Sequence, residues 1–119
     1  MKLSEAEWSV LNILWSGNNF TLKEITNSLK DINAWNKNTV LTYLTRMEKK
    51  GLVSIDRSQD KPYSAAVTKE FCAHRERTEL LDKVYGGATG DLIAAFLKES
   101  TISLEERNKL KKMLDDMEV

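Results

Sequence analysis

At 119 residues the chain has room for one compact domain or two small units sharing a core, which excludes a large multidomain enzyme. With 41% hydrophobic and 30% charged residues, one proline and five glycines, it carries enough apolar surface to fold and is unlike a disordered or collagenous composition. Eighteen basic residues balance eighteen acidic ones, so net charge by itself points to no polyanionic partner. No apolar run reaches the ~18 residues of a spanning helix, and the opening residues lack the charged-then-apolar layout of a secretory signal. No membrane insertion is expected, and the expected location is cytoplasmic. Cys72 and His74, the single cysteine and the single histidine, are too few to build a thiolate and imidazole zinc site. The expectation is no metal and no cofactor.

Ser4 with Glu7 three residues on is a helix-start signature, because each side chain can satisfy a backbone N–H of the other. Trp8, Leu11, Leu14 and Trp15 follow at helical spacing, and Ser16-Gly17-Asn18-Asn19 breaks the pattern. Thr21 with Glu24 repeats the signature for a second helix holding Leu22, Ile25 and Leu29, which gives way to a polar connection over Lys30–Asn33. Asn36 can cap a third helix that runs to about Lys50 and is closed by Gly51. Leu52–Ile55 and Tyr63–Val67 read as two short strands joined by the polar loop Asp56–Pro62, whose tip should project into solvent. Thr68 can cap a fourth helix through Val84, the glycines at 86, 87 and 90 precede a fifth, and Ser103 with Glu106 opens a sixth.

The third helix is two-faced. Val40, Tyr43, Leu44 and Met47 fall on one side, while Asn38, Thr42, Thr45, Arg46 and Lys49 point broadly the other way. Charge is also uneven along the chain. From Lys37 to Lys69 seven basic residues face three acidic ones, a balance of +4, whereas from Ala73 onward eight basic residues face ten acidic ones, a balance of −2.

Three helices, then a hairpin, with the third helix polar and basic on its free face, is the order of a winged helix-turn-helix DNA-binding unit. The expected fold class is therefore mainly α with a small antiparallel β hairpin, divided into a DNA-binding domain over 1–67 and a helical region over 68–119. The second region carries Leu80, Leu81, Val84, Leu92, Ile93, Phe96, Leu97, Leu110, Met113 and Leu114. Three thin helices cannot cover so many apolar side chains, and a second copy can, which makes these the candidate dimerisation residues.

Three blocks of sequence resemble a known group: Ser4–Trp8 with Val10–Trp15, Asn38–Gly51, and Leu81–Gly87. They are similar to the penicillinase-repressor (BlaI/MecI/CopY) family of bacterial transcription factors, and the likeness covers nearly the whole chain. It implies a homodimer that represses genes by binding palindromic operators in double-stranded DNA, with an N-terminal winged helix and a C-terminal dimerisation region. The match departs from the BlaI and MecI pattern at Asn38 and Leu41, where that pattern has Lys and Arg. In those relatives a membrane sensor protease pathway leads to cleavage of an Asn-Phe bond, and the aligned pair here is Ala95 and Phe96. The CopY-type tail with its Cys-x-Cys metal pattern is absent, since this tail ends Asp115-Asp116-Met117-Glu118-Val119.

On the third helix, Asn38, Thr39, Thr42, Thr45 and Arg46 are the candidates for reading bases, being short or able to make paired hydrogen bonds to base edges. Lys37, Lys49, Lys50, Arg57 and Lys61 are the candidates for phosphate contact. The plain alternatives are a solvated helix face and an ordinary polar loop. Trp8, Trp15 and Tyr43 read as core, and Cys72 and His74 as structural residues. No Ser, His and Asp arrangement, carboxylate pair or phosphate loop marks an enzyme. The competing function is a helical protein–protein adaptor that keeps the scaffold without specific DNA readout.

Overall fold

The computed structural model describes residues 2–118. Six helices and one hairpin follow in order: α1 (Glu5–Trp15), α2 (Leu22–Asn33), α3 (Lys37–Lys49), β1 (Val53–Ile55), β2 (Tyr63–Ala65), α4 (Lys69–Tyr85), α5 (Thr89–Glu99) and α6 (Leu104–Asp116). The chain divides into two compact units, Met1–Glu76 and Arg77–Val119, and the boundary falls inside α4.

The first unit is a winged helix-turn-helix. α1 and α2 each begin with a complete capping box, Ser4 with Glu7 and Thr21 with Glu24, and the Asn36 side chain accepts the Thr39 N–H to start α3. Each cap places a helical stripe inward. Val10, Leu11 and Leu14 of α1, Ile25 and Leu29 of α2, and Val40, Leu44 and Met47 of α3 meet in one core closed by Leu52, Val53, Tyr63 and Cys72. Trp8, Trp15 and Tyr43 pack against this core half-buried, Trp8 and Trp15 edge to face at 5.9 Å.

α2 is longer than its sequence suggests. The expected polar connection at Lys30–Asn33 is the last turn of the helix, whose polar side chains face water while buried Leu29 anchors the turn. The chain reverses instead at Ala34, in the left-handed conformation at φ 54°. α3 ends as Gly51 leads one to expect. The Gly51 N–H bonds to Glu48 O and the Leu52 N–H to Met47 O, with Gly51 at φ 79°, and this reversal sends the chain straight into the hairpin.

β1 and β2 pair antiparallel with Val53 opposite Ala65 and Ile55 opposite Tyr63. Both strands are shorter than expected, since Leu52 belongs to the helix end and the Val67 carbonyl accepts the Trp15 indole N–H at 3.0 Å. Phe20, between α1 and α2, adds an unexpected bridge: it exchanges two backbone hydrogen bonds with Tyr63 at 2.9 and 3.1 Å. Gly17 permits this, because a Cβ there would lie 2.9 Å from the Phe20 ring. The bridge fastens the base of the wing to the helices.

In the second unit, α6 starts with the Ser103–Glu106 capping box, and α5 has no side-chain cap. Neither helix buries a single residue. Leu80, Val84, Ile93, Phe96, Leu97, Leu110, Met113 and Leu114 are all exposed, while Leu81 and Leu92 are half-buried.

Candidate nucleic-acid interface

α3 supplies the face. Its buried stripe fixes the rotation of the helix, so the opposite side is presented to solvent with Asn38, Leu41, Thr42, Arg46 and Lys49 exposed and Thr45 half-buried. Thr39 is half-buried, beside the Asn36 cap. Thr42 and Thr45 do not hold their hydroxyls out as free donors. The Thr42 hydroxyl donates to Asn38 O and the Thr45 hydroxyl to Leu41 O, each at 2.9 Å.

The wing stands beside this face. Its tip is a turn organised on Asp56, whose Oδ1 accepts from the Ser58 hydroxyl at 2.6 Å and the Ser58 N–H at 3.1 Å; these bonds hold the carboxyl below its ordinary pKa. Asp56 N–H bonds across to Pro62 O, which keeps the base of the loop narrow. Ser58, Gln59, Asp60 and Lys61 are exposed.

The basic candidates fall into two groups. Lys37 and Lys49 are exposed on α3. The other three are tied to carboxylates across the fold. Arg57 makes a two-pronged contact with Glu48 at 3.2 and 3.3 Å, joining the wing to α3. Lys61 reaches Glu24 of α2 at 3.3 Å. Lys50 reaches Glu7 of α1 at 2.9 Å. All three side chains remain at least half exposed, so their cationic ends can also meet a phosphate. The pairs tie α1 to the end of α3, α2 to the wing, and the wing to α3.

Glu7 is the buried end of this bracing, at 4% exposure. Burial pushes its carboxyl up, but the Ser4 N–H and the Lys50 ammonium more than offset that and hold it below the usual glutamate range. Its two oxygens divide the work: Oε1 accepts from the Ser4 N–H and Oε2 from Lys50. The Ser4–Glu7 cap is legible in the sequence, whereas the ion pair, whose partners are 43 residues apart, is not. Leu41, where the BlaI and MecI pattern has Arg, is a large apolar residue outside the buried Val40, Leu44 and Met47 stripe and is exposed. Cys72 joins the core, where burial raises its thiol pKa.

A family profile described as Penicillinase repressor matches residues 3–116. The methicillin resistance regulatory protein MecI of Mammaliicoccus sciuri is 28% identical over 117 residues, which cover 96% of this chain and 94% of that protein. The penicillinase repressor of Staphylococcus aureus is 26% identical over 118 residues, covering 98% and 94%, and that of Bacillus licheniformis is 23% identical over 116 residues, covering 97% and 91%. Among solved structures, a MarR/EmrR family transcriptional regulator from Acinetobacter sp. ADP1 aligns with a TM-score of 0.44 at 20% identity, over 97% of this chain and 78% of that one. The chain belongs to the penicillinase repressor family, whose members are transcriptional repressors and not enzymes.

Proposed function

We propose that this chain is a sequence-specific DNA-binding transcriptional repressor that acts as a homodimer on a palindromic operator. The observation that carries the reading is the two-sidedness of α3. The helix is locked by Val40, Leu44 and Met47 on one side and offers Asn38, Thr42, Arg46 and Lys49 on the other, beside a braced wing. Asn38, Thr39, Thr42, Thr45 and Arg46 read base edges in the major groove, and Lys37, Lys49, Lys50, Arg57 and Lys61 neutralise phosphates. The exposed apolar side chains of α4, α5 and α6 support pairing of two copies, which links two half-sites into one binding event.

Among the described residues no helix is long and apolar enough to cross a membrane. The reading places the protein in the bacterial cytoplasm, with its operator. Repression is relieved by a cut or another signal acting on the pairing region. Ala95 and Phe96 lie inside α5, with Phe96 O accepting the Ser100 N–H, so a membrane sensor protease must open the helix locally to reach that bond.

The test is fluorescence anisotropy on a duplex enriched from a random pool, over about 50 to 200 mM salt. Affinity should fall linearly in a log–log plot by about 0.9 per phosphate neutralised. Arg46→Ala should weaken the enriched duplex alone by about 1–3 kcal/mol, while Lys61→Ala should weaken all duplexes and flatten the slope by about one. A flat salt response, with both variants unchanged, defeats the reading and favours a protein adaptor.

A further inference from the structure

Leu41 sits on the solvent face of α3 at 41% exposure, and with Thr42, Thr45 and Arg46 it lines a shallow depression. A single exposed leucine is ordinary. Its setting is not, because the two neighbouring threonines have turned their hydroxyl protons back onto Asn38 O and Leu41 O. Each is left with a γ-methyl and an oxygen that can only accept. At this spot the helix therefore offers a leucine side chain, two methyls and two acceptors, with Arg46 the one donor of the four lining residues.

Resting on the DNA-binding reading above, we propose that Leu41, with the methyls of Thr42 and Thr45, is a specificity-determining contact for the 5-methyl group of a thymine in each operator half-site. Base chemistry selects that partner. In the major groove only thymine carries a 5-methyl group; guanine shows two acceptors, which Arg46 alone of the four lining residues could satisfy, and cytosine shows a donor but no methyl. An A·T pair shows the thymine methyl together with the adenine N6 amino group. The depression covers the methyl with carbon and leaves a threonine oxygen to accept from the amino group, while Arg46 is the lining donor for the pair's acceptors, thymine O4 and adenine N7. Burying the methyl against Leu41 removes apolar surface from water on both sides, and only thymine carries that surface.

The experiment takes the operator enriched from a random duplex pool by the full chain and replaces each thymine in turn with deoxyuridine, which differs by the 5-methyl alone. At one position per half-site, deoxyuridine should lower the affinity of the unaltered protein about fourfold, the effect of one buried methyl group. Leu41→Ala should bind the thymine operator several-fold more weakly and lose most of its sensitivity to deoxyuridine at that position. Its fold should be intact, because the side chain is outside the core; circular dichroism checks this. Failure to enrich any duplex overturns this proposal together with the DNA-binding reading. Enrichment without a methyl-sensitive thymine, or with a sensitivity that Leu41→Ala retains, overturns this proposal alone.

Discussion

The two units of this chain treat apolar side chains in opposite ways. In residues 1–76 Leu11, Leu14, Ile25, Leu29, Leu44 and Met47 are almost wholly removed from water. In residues 77–119 Phe96 is 58% exposed, Leu114 is 60% exposed, and α5 and α6 bury nothing. Local helix signals do not explain the contrast, since the Ser103–Glu106 cap is as complete as the two in the first unit. What separates them is burial, and isolated helices of this length are marginal in water without it. The first unit has its own core; on the dimeric reading proposed above, the second would take its stability from association with a second copy.

Removing one side chain from each unit should have opposite consequences. Leu44→Ala leaves a cavity where α3 meets the core and should cost about 2–5 kcal/mol, seen as a lower melting temperature that does not depend on protein concentration. Phe96→Ala should leave the melting of the first unit unchanged and instead raise the dissociation constant of the dimer in sedimentation. A fragment ending at Glu76 carries the same contrast further. It should stay folded and monomeric, and bind the operator about 10²- to 10⁴-fold more weakly than the full chain, having lost the linked half-site. An unfolded fragment, or a Phe96→Ala protein with an unchanged dimer, contradicts the division.

A smaller effect comes from Glu7, the buried charged residue of the first unit. Its folded pKa is lowered, so its contribution is fully present above the ordinary glutamate value near 4.5 and is lost as pH falls through the lower folded value. Glu7→Gln removes the charge that Lys50 and the cap share, and should cost about 1–3 kcal/mol at neutral pH. The gap between the two proteins should close on acidification, measured by denaturant titration across the acid range. A gap that is constant with pH means that Glu7 acts through shape and not through charge.

Much of the first unit is legible in the sequence because its signals are local. Ser4 with Glu7, Thr21 with Glu24, Asn36 and Gly51 each specify a helix end through bonds within a few residues, and the structure makes those bonds. The features that escape are long-range or single. The Phe20 bridge to Tyr63 is one residue long, too short to carry a strand's alternation. The pairing of Lys50, Arg57 and Lys61 with Glu7, Glu48 and Glu24 depends on how helices and wing pack, and no spacing rule encodes it. On the exposed face of α3 the residue types are legible, but the direction of the Thr42 and Thr45 hydroxyls is not. That direction decides whether the face offers donors or methyls.

The smallest expected effect is at Ala34, where the first unit holds a non-glycine residue at φ 54° and ψ 30°. A Cβ in the left-handed region costs roughly 1–2 kcal/mol, because it crowds the following carbonyl oxygen. The turn nevertheless persists, since buried Leu29 on one side and the Asn36 cap and Val40 on the other fix where the two helices must run. Ala34→Gly removes the crowding and loses no packing, the side chain being exposed, but it also gives the unfolded chain more freedom. The net gain should be about 0.5 kcal/mol, a rise of roughly 2–4 °C in the melting of the first unit. Operator affinity should stay within about twofold, because the core and not the turn sets the angle of α3. A fall in melting temperature means that Ala34 is not strained, and a large loss of affinity means that the turn itself aims the recognition helix.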